Sequence, residues 1–65
     1  MQIYINQQLL EVSDNASLAD AIAQLQFVPP FAAAVNLQFV PQSCYAETKL
    51  QANDKIDIIA PVTGG

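Results

Sequence analysis

Few side chains in this sequence could take part in chemistry. There is no histidine, which removes Ser-His and Cys-His nucleophile pairs and the commonest metal ligand. Cys44 is the sole cysteine, so neither a CxxC redox pair nor a cysteine zinc site can be assembled. As a lone thiol it reads most simply as a small apolar filler. The carboxylates of Glu11, Asp14, Asp20, Glu47, Asp54 and Asp57 are scattered, with no spacing that pairs two of them as acid and base. No glycine-rich loop exists to cradle a phosphate. Side-chain catalysis is not expected.

The remaining candidate is the main-chain carboxylate of Gly65. Gly64 and Gly65 are the only glycines in the chain, and none is left for the turns and helix ends that normally recruit them. Two residues without a Cβ make the thinnest peptide tip available, able to thread a narrow channel. Taken alone, a Gly-Gly end suits an unstructured tail or a leftover of cloning equally well. A carboxylate is a poor electrophile until it becomes an acyl adenylate, whose AMP is a good leaving group. A sulfur donor that displaces the AMP leaves a thiocarboxylate, a soft nucleophile that stays deprotonated near neutrality. A chain with such an end is a carrier, charged and discharged by other enzymes. Pro61-Val62-Thr63-Gly64-Gly65 suits this role, because five extended residues reach roughly 17 Å and Pro61 ends ladder pairing at their root.

The bulk properties bound the body that would carry this tail. Sixty-five residues make one small domain, with no room for a buried catalytic cleft of ordinary size. At 52% apolar and 12% charged residues the chain has too much to bury for disorder. The net charge of −4, with Lys49 and Lys55 as the only basic side chains, supplies no basic face for nucleic acid or for an anionic membrane. It suits a partner with a basic docking surface, although acidity also serves solubility alone. With no disulfide, no basic leader and no apolar run of membrane length, a soluble cytoplasmic protein is expected.

Met1 to Asn6 alternates, with Met1, Ile3 and Ile5 on one face, and predicts a half-buried strand. Asn6-Gln7-Gln8 reads as a tight turn into a second strand over Leu9 to Val12. Ser17 with Asp20 three residues on resembles a capping box, and Leu18, Ile22 and Leu25 then form a helical stripe aimed at the sheet. Pro29-Pro30 is expected to stop the helix. Phe31, Ala33, Val35 and Leu37 predict one further β segment, followed by an irregular stretch from Pro41 to Ala46 with room for a short helical turn. Thr48 to Leu50 suits a brief edge strand. Ala52-Asn53-Asp54 is turn chemistry, and Lys55 to Ala60 is the last strand, with Ile56, Ile58 and Ala60 on one face. Leu25-Gln26-Phe27-Val28-Pro29 recurs as Leu37-Gln38-Phe39-Val40-Pro41, but the two copies fall in different settings and make no repeat architecture. One helix across one face of a mixed sheet gives an α+β roll.

Several of these residues together resemble the ThiS family, the bacterial sulfur carriers of thiamine biosynthesis. They are the opening Met1-Gln2-Ile3 strand with Asn6 after it, the central Ala34-Val35-Asn36 with Val40-Pro41, Leu50, the Asn53-Asp54 turn before Ile56, and the ending Val62-Thr63-Gly64-Gly65. Gln42 stands where the family often has arginine, and Asn53 where it often has glycine. The resemblance implies a ubiquitin-like β-grasp: a mixed four- to five-stranded sheet packed on one helix, with the first and last strands side by side in its middle. It divides the chain into a β-grasp domain over 1–60 and a C-terminal tail over 61–65. It implies that a ThiF-like adenylyltransferase activates Gly65 with ATP and magnesium and that a cysteine desulfurase system supplies the sulfur. The thiazole synthase ThiG would consume the Gly65 thiocarboxylate. The carrier itself would be no enzyme and would hold no cofactor or metal.

Recognition of the tail falls on Val62, Thr63 and Gly64. Ile59 lies on the face that should be solvated, beside Asp57, and is a candidate for a partner-docking face, although single exposed apolar residues are ordinary. Other readings share the fold: the small subunit of molybdopterin synthase, a ubiquitin-like modifier joined to lysines, or a binding module whose tail carries no chemistry.

Overall fold

The computed structural model describes residues 1–27 and 30–59. In chain order the elements are β1 (Gln2–Ile5), β2 (Gln8–Glu11), α1 (Leu18–Leu25), β3 (Ala32–Val35), β4 (Gln38–Val40), a 3₁₀ turn (Gln42–Cys44) and β5 (Lys55–Ile59). The five strands form one sheet in the order β2-β1-β5-β3-β4. β1 and β5 are parallel, with Tyr4 opposite Lys55 and Ile5 opposite Ile56, while the other neighbours are antiparallel. The sheet is therefore mixed, with the first and last strands at its centre, as expected.

Both hairpins close through two-residue loops, Asn6-Gln7 and Asn36-Leu37, with positive φ at each of the four positions. That is the pattern of a type I′ turn, whose backbone twist matches the strands it joins. The second loop corrects the single β segment expected over Phe31 to Leu37. Ala33 and Val35 do face inward, but the chain reverses at Asn36, and Leu37 stands 90% exposed in the turn rather than inside. Among the described residues six non-glycine positions have positive φ: Asn6, Gln7, Gln26, Asn36, Leu37 and Asn53. The fold thus has several places where glycine would relax the backbone, and the sequence puts none there.

The helix begins as its sequence predicts. Ser17 Oγ accepts from the Asp20 amide and Asp20 Oδ2 accepts from the Ser17 amide, a closed capping box. Two further amides of the first turn are satisfied from outside, Leu18 by the Thr48 carbonyl and Ala19 by the Tyr45 carbonyl. The helix stops at Leu25, earlier than the proline pair, because Gln26 turns left-handed and donates its amide back to the Ile22 and Ala23 carbonyls. Pro29 lies outside the described residues. Leu18, Ala21 and Ile22 form the buried stripe, whereas Leu25, expected in it, is exposed in the last turn at the margin of the core. Thr48 to Leu50 is not an edge strand. Only Lys49 forms a bridge, to Ser17, because the helix starts at the next residue and leaves no extended partner to pair with.

Ile3, Ile5, Ala33, Ile56 and Ile58 cover the inner face of the sheet and pack with Leu18, Ala21 and Ile22 of the helix, and Val12, Tyr45 and Leu50 close the sides. Each fully buried isoleucine or leucine contributes about 1.5–3 kcal/mol relative to exposure. Two partly buried aromatics extend the core from Tyr45: the Phe31 ring lies 6.2 Å from Tyr45 and 6.1 Å from Phe27.

Candidate functional site

The tail residues Val62, Thr63, Gly64 and Gly65 lie outside the described residues, as does Ala60. What the structure describes is the platform from which they continue: β5 and the sheet face around it. β5 is the central strand, buried on its inner side at Ile56 and Ile58 and open on the other at Lys55, Asp57 and Ile59. Ile59, the last described residue, is 60% exposed, which places it on the open side as expected.

Register then shows what surrounds it. Residues paired across neighbouring strands share a face. The open face therefore carries Leu9, Tyr4 and Lys55 in one row, Asp57, Ala34 and Phe39 in a second, and Ile59 with Ala32 in a third. Leu9 is 56% exposed and Phe39 69%. Ile59 thus shares the open face with Leu9 and Phe39, which lie on the two edge strands with Lys55 and Asp57 between them. Leu9 and Phe39 were missed from sequence. The signal for Phe39 was present: Val35-Asn36-Leu37-Gln38 repeats the apolar-Asn-x-Gln pattern of Ile5-Asn6-Gln7-Gln8. A turn recognised there reverses the parity and sends Phe39 outward.

An open depression of about 570 Å³ lies on this side, bordered by Tyr4, Gln7, Leu37, Lys55 and Asp57. It is a surface concavity and not the buried cleft that catalysis uses. Its polar side chains are a phenol, the amides of Gln7 and Asn36, an ammonium and one carboxylate, with no nucleophile beside a base. Cys44 is a free thiol and half-buried, on the 3₁₀ turn, so it is less enclosed than an apolar filler. Among the described residues no three His, Cys, Asp or Glu side chains are grouped to hold a metal ion, and no helix is long and apolar enough to cross a membrane.

Side-chain amides fasten β5 at both ends. At its start the Asn36 Oδ1 accepts the Lys55 amide at 3.0 Å, and Asn36 Nδ2 donates to Asp54 Oδ1 at 3.0 Å. Near its end Asn6 Oδ1 accepts the Ile58 amide at 2.9 Å. Asp54 also closes the preceding turn by accepting the Gln51 amide at 2.8 Å, with Asn53 left-handed beside it. The Asp20 carboxylate belongs to the helix cap. Its hydrogen bonds from the Ser17 amide and then the Ser17 hydroxyl hold its carboxyl below the usual aspartate value.

A five-stranded mixed sheet with parallel central strands and a single helix on one face defines the ubiquitin-like β-grasp class. The crystal structure of a thiamine biosynthesis protein (ThiS) from Geobacter metallireducens matches this fold with a TM-score of 0.83 over 100% of both chains, at 13% identity. The family model described as the ThiS family matches residues 2–65, and the chain belongs to that family, the sulfur carriers of thiamine biosynthesis. No curated protein matches the sequence.

Proposed function

We propose that this chain carries sulfur on its C-terminal glycine. The carboxylate of Gly65 attacks the α-phosphate of ATP on a ThiF-like adenylyltransferase that holds the magnesium, and pyrophosphate leaves. The outer sulfur of a persulfide supplied by a cysteine desulfurase system then displaces AMP to give an acyl disulfide, and a second thiol attacks that disulfide, releasing the Gly65 thiocarboxylate and leaving a disulfide on the donor. That sulfur passes to the thiazole synthase ThiG for the thiazole of thiamine. The reaction runs in the cytoplasm, and the carrier itself binds no cofactor.

One observation carries the reading: glycine is withheld from six left-handed positions of the body and kept for Gly64 and Gly65. The family match, which runs through residue 65, supports it. Residues 61–65 act as the tail, with Val62, Thr63 and Gly64 read by the partner's channel. The open sheet face of Leu9, Phe39 and Ile59 is the docking surface for the activating enzyme, and the acidic balance of the chain favours a basic counterpart.

Intact-mass measurement after incubation with ATP, magnesium, the adenylyltransferase and a sulfur donor tests this. The expected product has gained one sulfur in place of one oxygen, and the chain lacking Gly65 gains nothing. Sulfur incorporation into the truncated chain would overturn the terminal-carboxylate chemistry. Stable co-purification with a molybdopterin synthase large subunit, instead of ThiG, would redirect the pathway.

A further inference from the structure

The two hairpin turns share a leading asparagine and a conformation, yet their asparagines hold opposite ends of β5. β1 runs alongside β5 for only two residue pairs, ending at Ile5 and Ile56, because the chain turns away at Asn6 with a φ of 50°. The last backbone bond on that side is from the Asn6 amide to the Ile56 carbonyl, at 2.9 Å. Ile58, two residues further along, is buried, and its amide would face no backbone acceptor of β1. The Asn6 side chain fills the gap from 52 positions away in sequence, with its Oδ1 2.9 Å from the Ile58 nitrogen. On the opposite side β3 stays in register with β5 as far as Ile59. The end of β5 is therefore held by backbone on one flank and by a single side chain on the other.

We infer that Asn6 is a positioning residue for the carrier reaction: its side-chain carbonyl, standing in for the missing β1 rung at Ile58, fixes the root of the tail relative to the docking face. This rests on the sulfur-carrier reading. A partner that grips Leu9, Phe39 and Ile59 holds the body, and the six residues after Ile59 must deliver the Gly65 carboxylate to a nucleotide elsewhere on that partner. Six residues can span about 20 Å at most, so where β5 ends sets the volume that the Gly65 carboxylate can reach. Misplacement of the reacting atoms by about 1 Å can cost a hundredfold in rate. The docking contacts themselves do not involve Asn6, so its loss acts on the rate at saturation and not on the carrier concentration needed to reach it. Few residues combine the two properties the position requires, tolerance of positive φ and a short side chain with an acceptor oxygen.

The variants Asn6→Gly, Asn6→Asp and Asn36→Gly separate these roles. Glycine keeps the positive φ and removes the acceptor, aspartate keeps both, and Asn36→Gly loosens the start of β5 while leaving its end alone. Two readouts apply to the full chain: amide exchange at Ile58, and adenylation rate as a function of carrier concentration. In Asn6→Gly the Ile58 amide should exchange faster, and the saturating rate should fall about tenfold or more at an unchanged half-saturating concentration. Asn6→Asp should restore both, and Asn36→Gly should leave the saturating rate as it is. A wild-type saturating rate in Asn6→Gly overturns the inference and leaves the carrier reading standing, as does failure of Asn6→Asp to recover the rate when its Ile58 amide is protected. A wild-type chain that is never adenylated removes the carrier reading, and this inference with it.

Discussion

The two faces of the sheet are built on the same five strands and both present large apolar side chains, but the helix covers only one of them. Inward, Ile3, Ile5, Ile56 and Ile58 meet Leu18, Ala21 and Ile22 and vanish from solvent. Outward, Leu9, Phe39 and Ile59 remain wet. Covered apolar surface stabilises the fold in proportion to its area; uncovered apolar surface contributes little to the isolated chain and favours association. β5 joins the two, because Ile58 belongs to the core and Ile59, the next residue, belongs to the open face.

Matched truncations on that strand test the division most directly. Ile56→Ala, at a side chain only 1% exposed, should cost about 2–5 kcal/mol by chemical denaturation, a large share of what a core this size supplies. Ile59→Ala should cost less than about 0.5 kcal/mol. Comparable losses at the two sites would mean that the outward residues also hold the fold.

The turn on the open side gives an effect of opposite sign. Leu37 is exposed and left-handed, so Leu37→Gly relieves backbone strain without opening a cavity, and the melting transition should rise by about 1 kcal/mol equivalent. The helix that lids the core depends on its cap. Ser17→Ala should cost roughly 1 kcal/mol in the same denaturation experiment.

The cap also titrates. A carboxyl with a depressed folded pKa contributes stability that is complete above its unfolded value and lost as pH falls through the folded one. Stability should therefore decline on acidification below about pH 4, and Asp20→Asn should flatten that part of the profile. Last in stability terms is Ile59→Asp, which should fold as the parent does yet slow adenylation by lowering affinity for the activating enzyme. An unchanged half-saturating concentration would remove Ile59 from the docking surface.

Much of the covered face could be read from the residue order. Alternation in Met1–Asn6 and Lys55–Ile59 marked inward isoleucines, and Ser17 with Asp20 marked the helix start, because both signals are local. The open face was only partly readable. Ile59 stood out against Asp57, but Leu9 and Phe39 did not, since their side depends on where each hairpin turns. The Asn36-Leu37 turn carried no glycine to announce it, and a single displaced turn reverses every side chain after it. Leu25 followed the helical period and still fell outside the core, because the period says which way a residue points and not whether anything lies there.

What the residue order determined by itself was local: two-residue and four-residue spacings, a capping box, the glycine count and the lack of histidine. Short-range geometry along one chain sets these. Tertiary structure alone decided which apolar residues are covered, how Leu9, Phe39 and Ile59 come to share a surface, and that Asn6 reaches Ile58. Those outcomes depend on segments far apart in sequence closing on one another, and no spacing along the chain encodes the distance between them.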